Sequence, residues 1–379
     1  MFIELTKIYG LCACLAMSLS SAPETDSMNI YIGTYTKKTD SKGIYLFKLD
    51  LKTGRLGEGV LAAETANPSF LAVHPNRKYL YAAGELEGKT GIVSAFAIEK
   101  ADGKLTLLNE QSSGGAGPCH LSVDKEGRNV LVANYAGGSI AVLPIGPDGK
   151  LAKASCNILH KDPEPGAKPR ASHCHSINLD LSGRFAFVAD LGLDRVFFYR
   201  FDGTQGVLVP NEPVSLVLAG KAGPRHFAWH SSGRFAYVIN ELNSTMTAVS
   251  FDAEKGSLRE LQTLSTLPEG FTGTSYCAEV QVHPSGKFLY GSNRGHDSIA
   301  IFEIDTKTGL LKLLGFEPTQ GSFPRNFSID PAGQYLIIAN QKGNNIVVFR
   351  IDTLTGLLKP TGQKIGLPAP VCIKFIYAK

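Results

Sequence analysis

Two histidines, His173 and His175, flank a cysteine in the stretch RASHCHSINLD, residues 170–180. Imidazole is the side chain whose unperturbed titration lies nearest neutral pH, so such a pair reads as acid–base machinery or as two ligands of a metal. Zinc wants at least three protein donors at one point, and only His120 or Glu241 offers itself as a third. Acid–base work or substrate contact by His175 is therefore the favoured expectation. Arg225, Arg294 and Arg325 add three guanidinium groups, the side chain suited to gripping a carboxylate or phosphate with two parallel hydrogen bonds. Glu241 and Glu279 place carboxylates in the same company. Residues scattered from 173 to 325 act together only if a fold gathers them.

That fold is legible as a repeat. AVHPNRKYLYAAGE, SVDKEGRNVLVANY, NLDLSGRFAFVADL, AWHSSGRFAYVINE, QVHPSGKFLYGSNR and SIDPAGQYLIIANQ are versions of one pattern: a strand, a tight turn, and a second apolar strand. Gly and Asn supply the positive φ of such turns and Pro presets φ. The turn positions Asn76, Gly127, Gly183, Gly233, Gly286 and Gly333 recur at intervals of 47 to 56 residues. A third strand follows in each unit, then a turn such as TKTGLL and a fourth. MNIYIGTYT opens the body as a partial seventh copy, and its missing first strand is PVCIKF near the C-terminus. Four antiparallel strands at this period are propeller blades. The expectation is all-β: one seven-bladed β-propeller over 28–379, its ring closed by the C-terminal strand completing the first blade, which removes two open edges.

In a blade the innermost strand lines the channel and the next runs back beside it. The start of one and the end of the other therefore share a face of the disc. The second position of the innermost strands holds Ser69, Cys119, His175, Arg225, Ala278, Arg325 and Val371; the third holds Phe70, His120, Ser176, His226, Glu279, Asn326 and Cys372. The second strands end in Thr34–Tyr35, Gly84–Glu85, Asn134–Tyr135, Asp190–Leu191, Asn240–Glu241, Asn293–Arg294 and Asn340–Gln341. Both groups are rich in Arg, His, Glu and Asn, as expected of one polar channel mouth for an anionic small molecule. The recurring Asn134, Asn240, Asn293 and Asn340 are expected to be structural. So are His74, His230 and His283 in the turns at the opposite face.

Composition fits this reading. The chain has 379 residues, 43% hydrophobic and 19% charged, with formal net charge +4. No run of like charge or basic stripe marks a nucleic-acid partner. The apolar run IYGLCACLAMSLSSA within residues 1–27 resembles a secretory leader and is too short for a membrane span. Its presence makes the expected location periplasmic or secreted; an over-extended start before Met28 is the cytoplasmic alternative. Beyond that run, Cys119, Cys156, Cys174, Cys277 and Cys372 form neither a disulfide framework nor a CxxC pattern. No cofactor and no metal is expected.

The segments SHCHS, DLGLDRV, GPRH, INELNST, CAEVQVHPSGKFLYGSNRGHDSI and FPRNFSIDPAGQYLIIANQ together resemble the propeller-type lactonase family of 6-phosphogluconolactonases and carboxy-muconate lactonising enzymes. The likeness runs from Met28 to the C-terminus, with Ser172 where the family usually has proline. It implies a catalytic set of His175, Arg225, Glu241 and Arg294, the positions that the blade comparison also brings forward. It further implies hydrolysis of a sugar-acid lactone such as 6-phospho-D-glucono-1,5-lactone, a step of carbohydrate metabolism. In that reaction Glu241 or His175 takes the proton from water, Arg225 and Arg294 steady the oxyanion or the substrate's anion, and His173, Glu279 and Arg325 make further substrate contacts. A muconate cycloisomerase, a metal-dependent gluconolactonase-like propeller and a non-catalytic binding propeller stand as alternatives.

Overall fold

The computed structural model describes residues 27–86, 90–163 and 169–377. The leader expected over residues 1–27 lies outside them except for Ser27, which begins the strand Ser27–Thr34. Among the described residues, all strands fall into seven four-stranded antiparallel sheets, and no helix is long and apolar enough to cross a membrane.

The first sheet runs Pro370–Tyr377, Ser27–Thr34, Gly43–Asp50, Val60–Glu64, so its innermost strand comes from the far end of the chain. Met28 to Gly33 pair with Tyr377 to Cys372 in unbroken register. The other six sheets use four consecutive strands each. Their innermost strands are Pro68–Val73, Pro118–Val123, Cys174–Leu179, Pro224–Trp229, Tyr276–Val282 and Pro324–Ile329, and each packs against the next around the ring.

Burial grades outward within a blade. Phe185–Asp190, second in its sheet, is buried at every residue, because neighbouring blades cover both of its faces. Such a strand needs continuous apolar sequence rather than alternation. Val207–Val217, at the outer edge of the same sheet, mixes buried and exposed positions and carries Pro210, Asn211, Glu212 and Pro213. Between blades the apolar residues form separate clusters. The closing contact unites Ile30, Ile32 and Phe47 of the first blade with Tyr335, Ile337 and Val348 of the last.

Polar ties cross the same seams. His74, His230 and His283 each set Nε2 2.9 Å from the turn carbonyl of the next blade's Gly127, Gly286 or Gly333. They are structural, as their turn position implied. Gly127 shows why this turn needs glycine: its φ is +69°, and a Cβ there would collide with the His74 ring.

The feature that shapes the channel is a β-bulge repeated in the innermost strands. Register shifts between Pro68 and Phe70, Pro118 and His120, Cys174 and Ser176, Pro224 and His226, and Pro324 and Asn326. In a regular strand adjacent side chains point to opposite faces. A bulge leaves one residue outside the ladder and re-aims it, so neighbours such as Cys119 and His120 can line different cavities of the channel.

Candidate active site

Pairing of Cys174 with Asp190, Pro224 with Asn240, Cys277 with Asn293 and Pro324 with Asn340 puts strand starts and strand ends on one face, as the blade comparison requires. Here a cavity of about 190 Å³ is lined by Glu85, Cys119, Tyr135, His175, Glu241, Arg294 and Arg325. Every innermost-strand residue in that wall comes from the second column. The third column serves a different space: Phe70, His120, His226 and Glu279 line a second cavity of about 270 Å³, together with Lys374.

The structure therefore divides the expected set. His175, Glu241, Arg294 and Arg325 share the first cavity. Arg225 is 2% exposed and lies behind its wall, where Nε is 2.9 Å from Glu241 Oε2. Glu279, expected to contact substrate at the same mouth, belongs to the second cavity, because the bulge sends its column deeper. His173 is absent from both walls; its ring stacks on Tyr135 at 4.6 Å with Nδ1 3.0 Å from the Tyr135 carbonyl, so it steadies a wall residue.

Glu241 is held from two sides. Oε2 lies 2.9 Å from Arg225 Nε and 2.8 Å from Arg294 Nη2. Arg294 is fixed in turn by the carbonyls of Tyr276 and Cys277, and it covers the Phe323 ring. Burial pushes the Arg294 guanidinium down to about 9, with Arg225 and Arg325 adding to the shift and Glu241 opposing it. It remains a cation at neutral pH.

His175 is 5% exposed and set against the rings of Tyr135 and His226. Burial first, and then the positive charge of Arg225, hold its imidazole well below the ordinary histidine value. It is neutral at neutral pH and able to accept a proton. Cys119 is unsuited to nucleophilic chemistry: burial drives its thiol far above the ordinary range.

Two wall residues, Glu85 and Tyr135, were not singled out from the sequence, although both sit in the second-strand-end column. Glu85 accepts the Tyr35 hydroxyl at 2.8 Å, and Arg325 lies over the Tyr35 ring.

The cysteine between the two histidines joins a third grouping. Cys174, His160 and Asp190 lie close enough together to hold an ion. Their atoms are already satisfied. His160 Nδ1 is 2.9 Å from Asp190 Oδ2, Tyr199 donates to its Nε2 at 2.8 Å, and Ser172 donates to Asp190 at 2.6 Å. Asp190 also accepts the backbone N–H of His173 and Leu193, so the group ties a strand end to its loop.

The model of the family described as lactonase, 7-bladed beta-propeller, matches residues 29–375. A Bacillus subtilis 6-phosphogluconolactonase is 37% identical over 347 residues, covering 92% of this chain and 98% of the relative. A Formosa agariphila 6-phosphogluconolactonase is 38% identical over 310 residues, covering 79% and 85%. Among solved structures, the Pseudomonas aeruginosa periplasmic gluconolactonase superposes with a TM-score of 0.87 at 29% identity, covering 93% of this chain and 100% of its own.

Proposed function

The chain belongs to the seven-bladed β-propeller lactonase family, and on that premise we propose that it hydrolyses a sugar-acid δ-lactone such as 6-phospho-D-glucono-1,5-lactone to the open-chain acid. The observation that carries the reading is one cavity wall shared by a neutral, buried imidazole and a carboxylate held by two guanidinium groups.

His175 is assigned as the base. It makes no ion pair among the described residues and is uncharged at working pH, whereas Glu241 already neutralises Arg225 and Arg294 through one oxygen. Water attacks the lactone carbonyl carbon as the His175 imidazole takes its proton, and Arg294 stabilises the oxyanion. Collapse breaks the bond to the ring oxygen, which leaves as a hydroxyl by recovering the proton from His175. Arg325, the remaining cation on the wall, takes a phosphate or carboxylate of the substrate. Glu241 orients the Arg294 guanidinium toward the oxyanion rather than taking the proton. Three arginines against Glu85 and Glu241 leave the site net positive, which favours an anionic lactone.

The test is hydrolysis by the purified protein of a phosphorylated sugar lactone, the unphosphorylated lactone and a muconate, before and after chelator treatment. Turnover of a lactone that survives chelation supports the reading; conversion of the muconate alone replaces it with cycloisomerisation. The leader-like run and the likeness to a gluconolactonase described as periplasmic support action outside the cytoplasm. N-terminal sequencing of the protein from its native cells checks that placement.

A further inference from the structure

Deeper in the channel, Glu279 receives three donors on two oxygens. Oε1 accepts the Val280 N–H at 3.0 Å; Oε2 accepts Asn326 Nδ2 and lies 3.2 Å from His226 Nδ1. Burial raises the Glu279 carboxyl, with the charges of Lys374 and Arg225 opposing the shift; in its ionised form it offers only acceptors, and His226 then carries its proton on Nδ1. Nε2 is then a lone pair, and it lies 3.3 Å from Arg225 Nη1. The opposite tautomer would turn an N–H against a guanidinium N–H. Arg225 Nη1 also donates to the Ala278 carbonyl at 2.6 Å, while Nε pairs with Glu241 by charge at 2.9 Å without a hydrogen bond. One polar chain thus runs from Asn326 through Glu279, His226, Arg225 and Glu241 to Arg294, joining the two cavities.

We propose that Glu279 and His226 are positioning residues for the hydrolysis, holding Arg225, and through it Glu241, from a chamber that the substrate does not enter. Neither lines the first cavity. Both are buried, at 6% and 4% exposure, and so are Arg225 and Asn326. A displacement of about 1 Å at a positioned group can cost about 100-fold in rate.

The chamber also provides the test. It holds about 270 Å³, and its wall includes the half-buried Asn178, Gln281 and Lys374, the last with its ammonium 4.6 Å from the Phe70 ring centroid and its charge acting on Glu279. A small carboxylate can therefore occupy the space left by Glu279→Ala. The inference rests on the lactonase reading, so kcat and KM are measured on the lactone that the wild type hydrolyses. The Arg225 guanidinium N–H groups are followed separately by side-chain NMR exchange.

Glu279→Ala is expected to lower kcat about 10- to 100-fold with a smaller change in KM. Sodium formate should restore kcat saturably, while sodium chloride at equal ionic strength should not. His226→Phe, which keeps a ring in place, should show the same loss, and formate should not relieve it. Exchange of the Arg225 guanidinium N–H groups should quicken in both variants. If a folded Glu279→Ala or His226→Phe protein keeps wild-type kcat, or if Arg225 exchange is unchanged, the proposal falls. Should the wild type hydrolyse no lactone, the functional reading fails and the exchange measurement still decides whether the pair holds Arg225. If Glu279→Ala does not fold, His226→Phe alone carries both readouts.

Discussion

Arg225 and Glu241 meet with Nε 2.9 Å from Oε2, and that oxygen also faces Arg294 at 2.8 Å. One carboxylate oxygen keeps two buried cations apart. Glu241→Gln removes that charge and leaves the guanidinium groups facing each other across a neutral amide. Breaking such a pair should lower stability by about 1–3 kcal/mol, less than for a fully buried pair because the carboxylate is 18% exposed. Turnover should fall about 100- to 1,000-fold as the oxyanion donor is displaced. Thermal unfolding and kcat measured on one preparation separate the two effects.

His175 gives a pH signature. Its pKa is depressed well below 6.5, so the proton-accepting form persists as pH falls through the ordinary histidine range. The kcat/KM profile should stay level through pH 6.5 and decline only at distinctly lower pH. His175→Asn should reduce kcat about 100- to 10,000-fold and remove that acid limb. An acid limb centred on the ordinary histidine value would contradict the assignment.

The same depression has a stability consequence. His120, His175 and His226 are all buried and held well below 6.5, burial being the first cause in each. Once pH drops below the unfolded-state histidine value, the unfolded chain binds protons that the folded one refuses. Stability is then lost as pH falls, by about 1.4 kcal/mol per pH unit for each histidine, until the folded pKa values are reached. Melting temperature recorded between pH 7 and pH 5 should fall, and His120→Phe should make the slope shallower.

Cys119 supplies a negative test. Its thiol lies on the active-cavity wall, yet burial raises its pKa so far that no thiolate forms at working pH. Iodoacetamide should inactivate the enzyme slowly or not at all, and Cys119→Ser should keep kcat within about 5-fold. Rapid stoichiometric inactivation at this position would assign the thiol a role that the geometry does not support.

The blades and their closure were readable because their signals are local. Gly127 and its counterparts mark turns, and PVCIKF supplies the one strand that the first repeat lacks. Alignment of strand starts with strand ends likewise located His175, Glu241 and Arg294 on one face. What alignment could not reveal was depth. The bulge before His120, His226 and Asn326 is a backbone irregularity without a residue signature, and it decides which column enters which cavity. Glu279 accordingly lines the second cavity, and Arg225 lies behind the wall of the first. His160 went unnoticed because nothing in its neighbourhood announces that it folds against Cys174 and Asp190.

The repeated bulge lets neighbours in one strand serve separate rooms, as Cys119 does the upper and His120 the lower. A change at Cys119 alters the furnishing of the upper room, while its sequence neighbour His120 continues to serve the lower one. A ring built this way lets substrate preference drift by single substitutions at one storey. The supports beneath, and the packing between blades, need not be rebuilt each time.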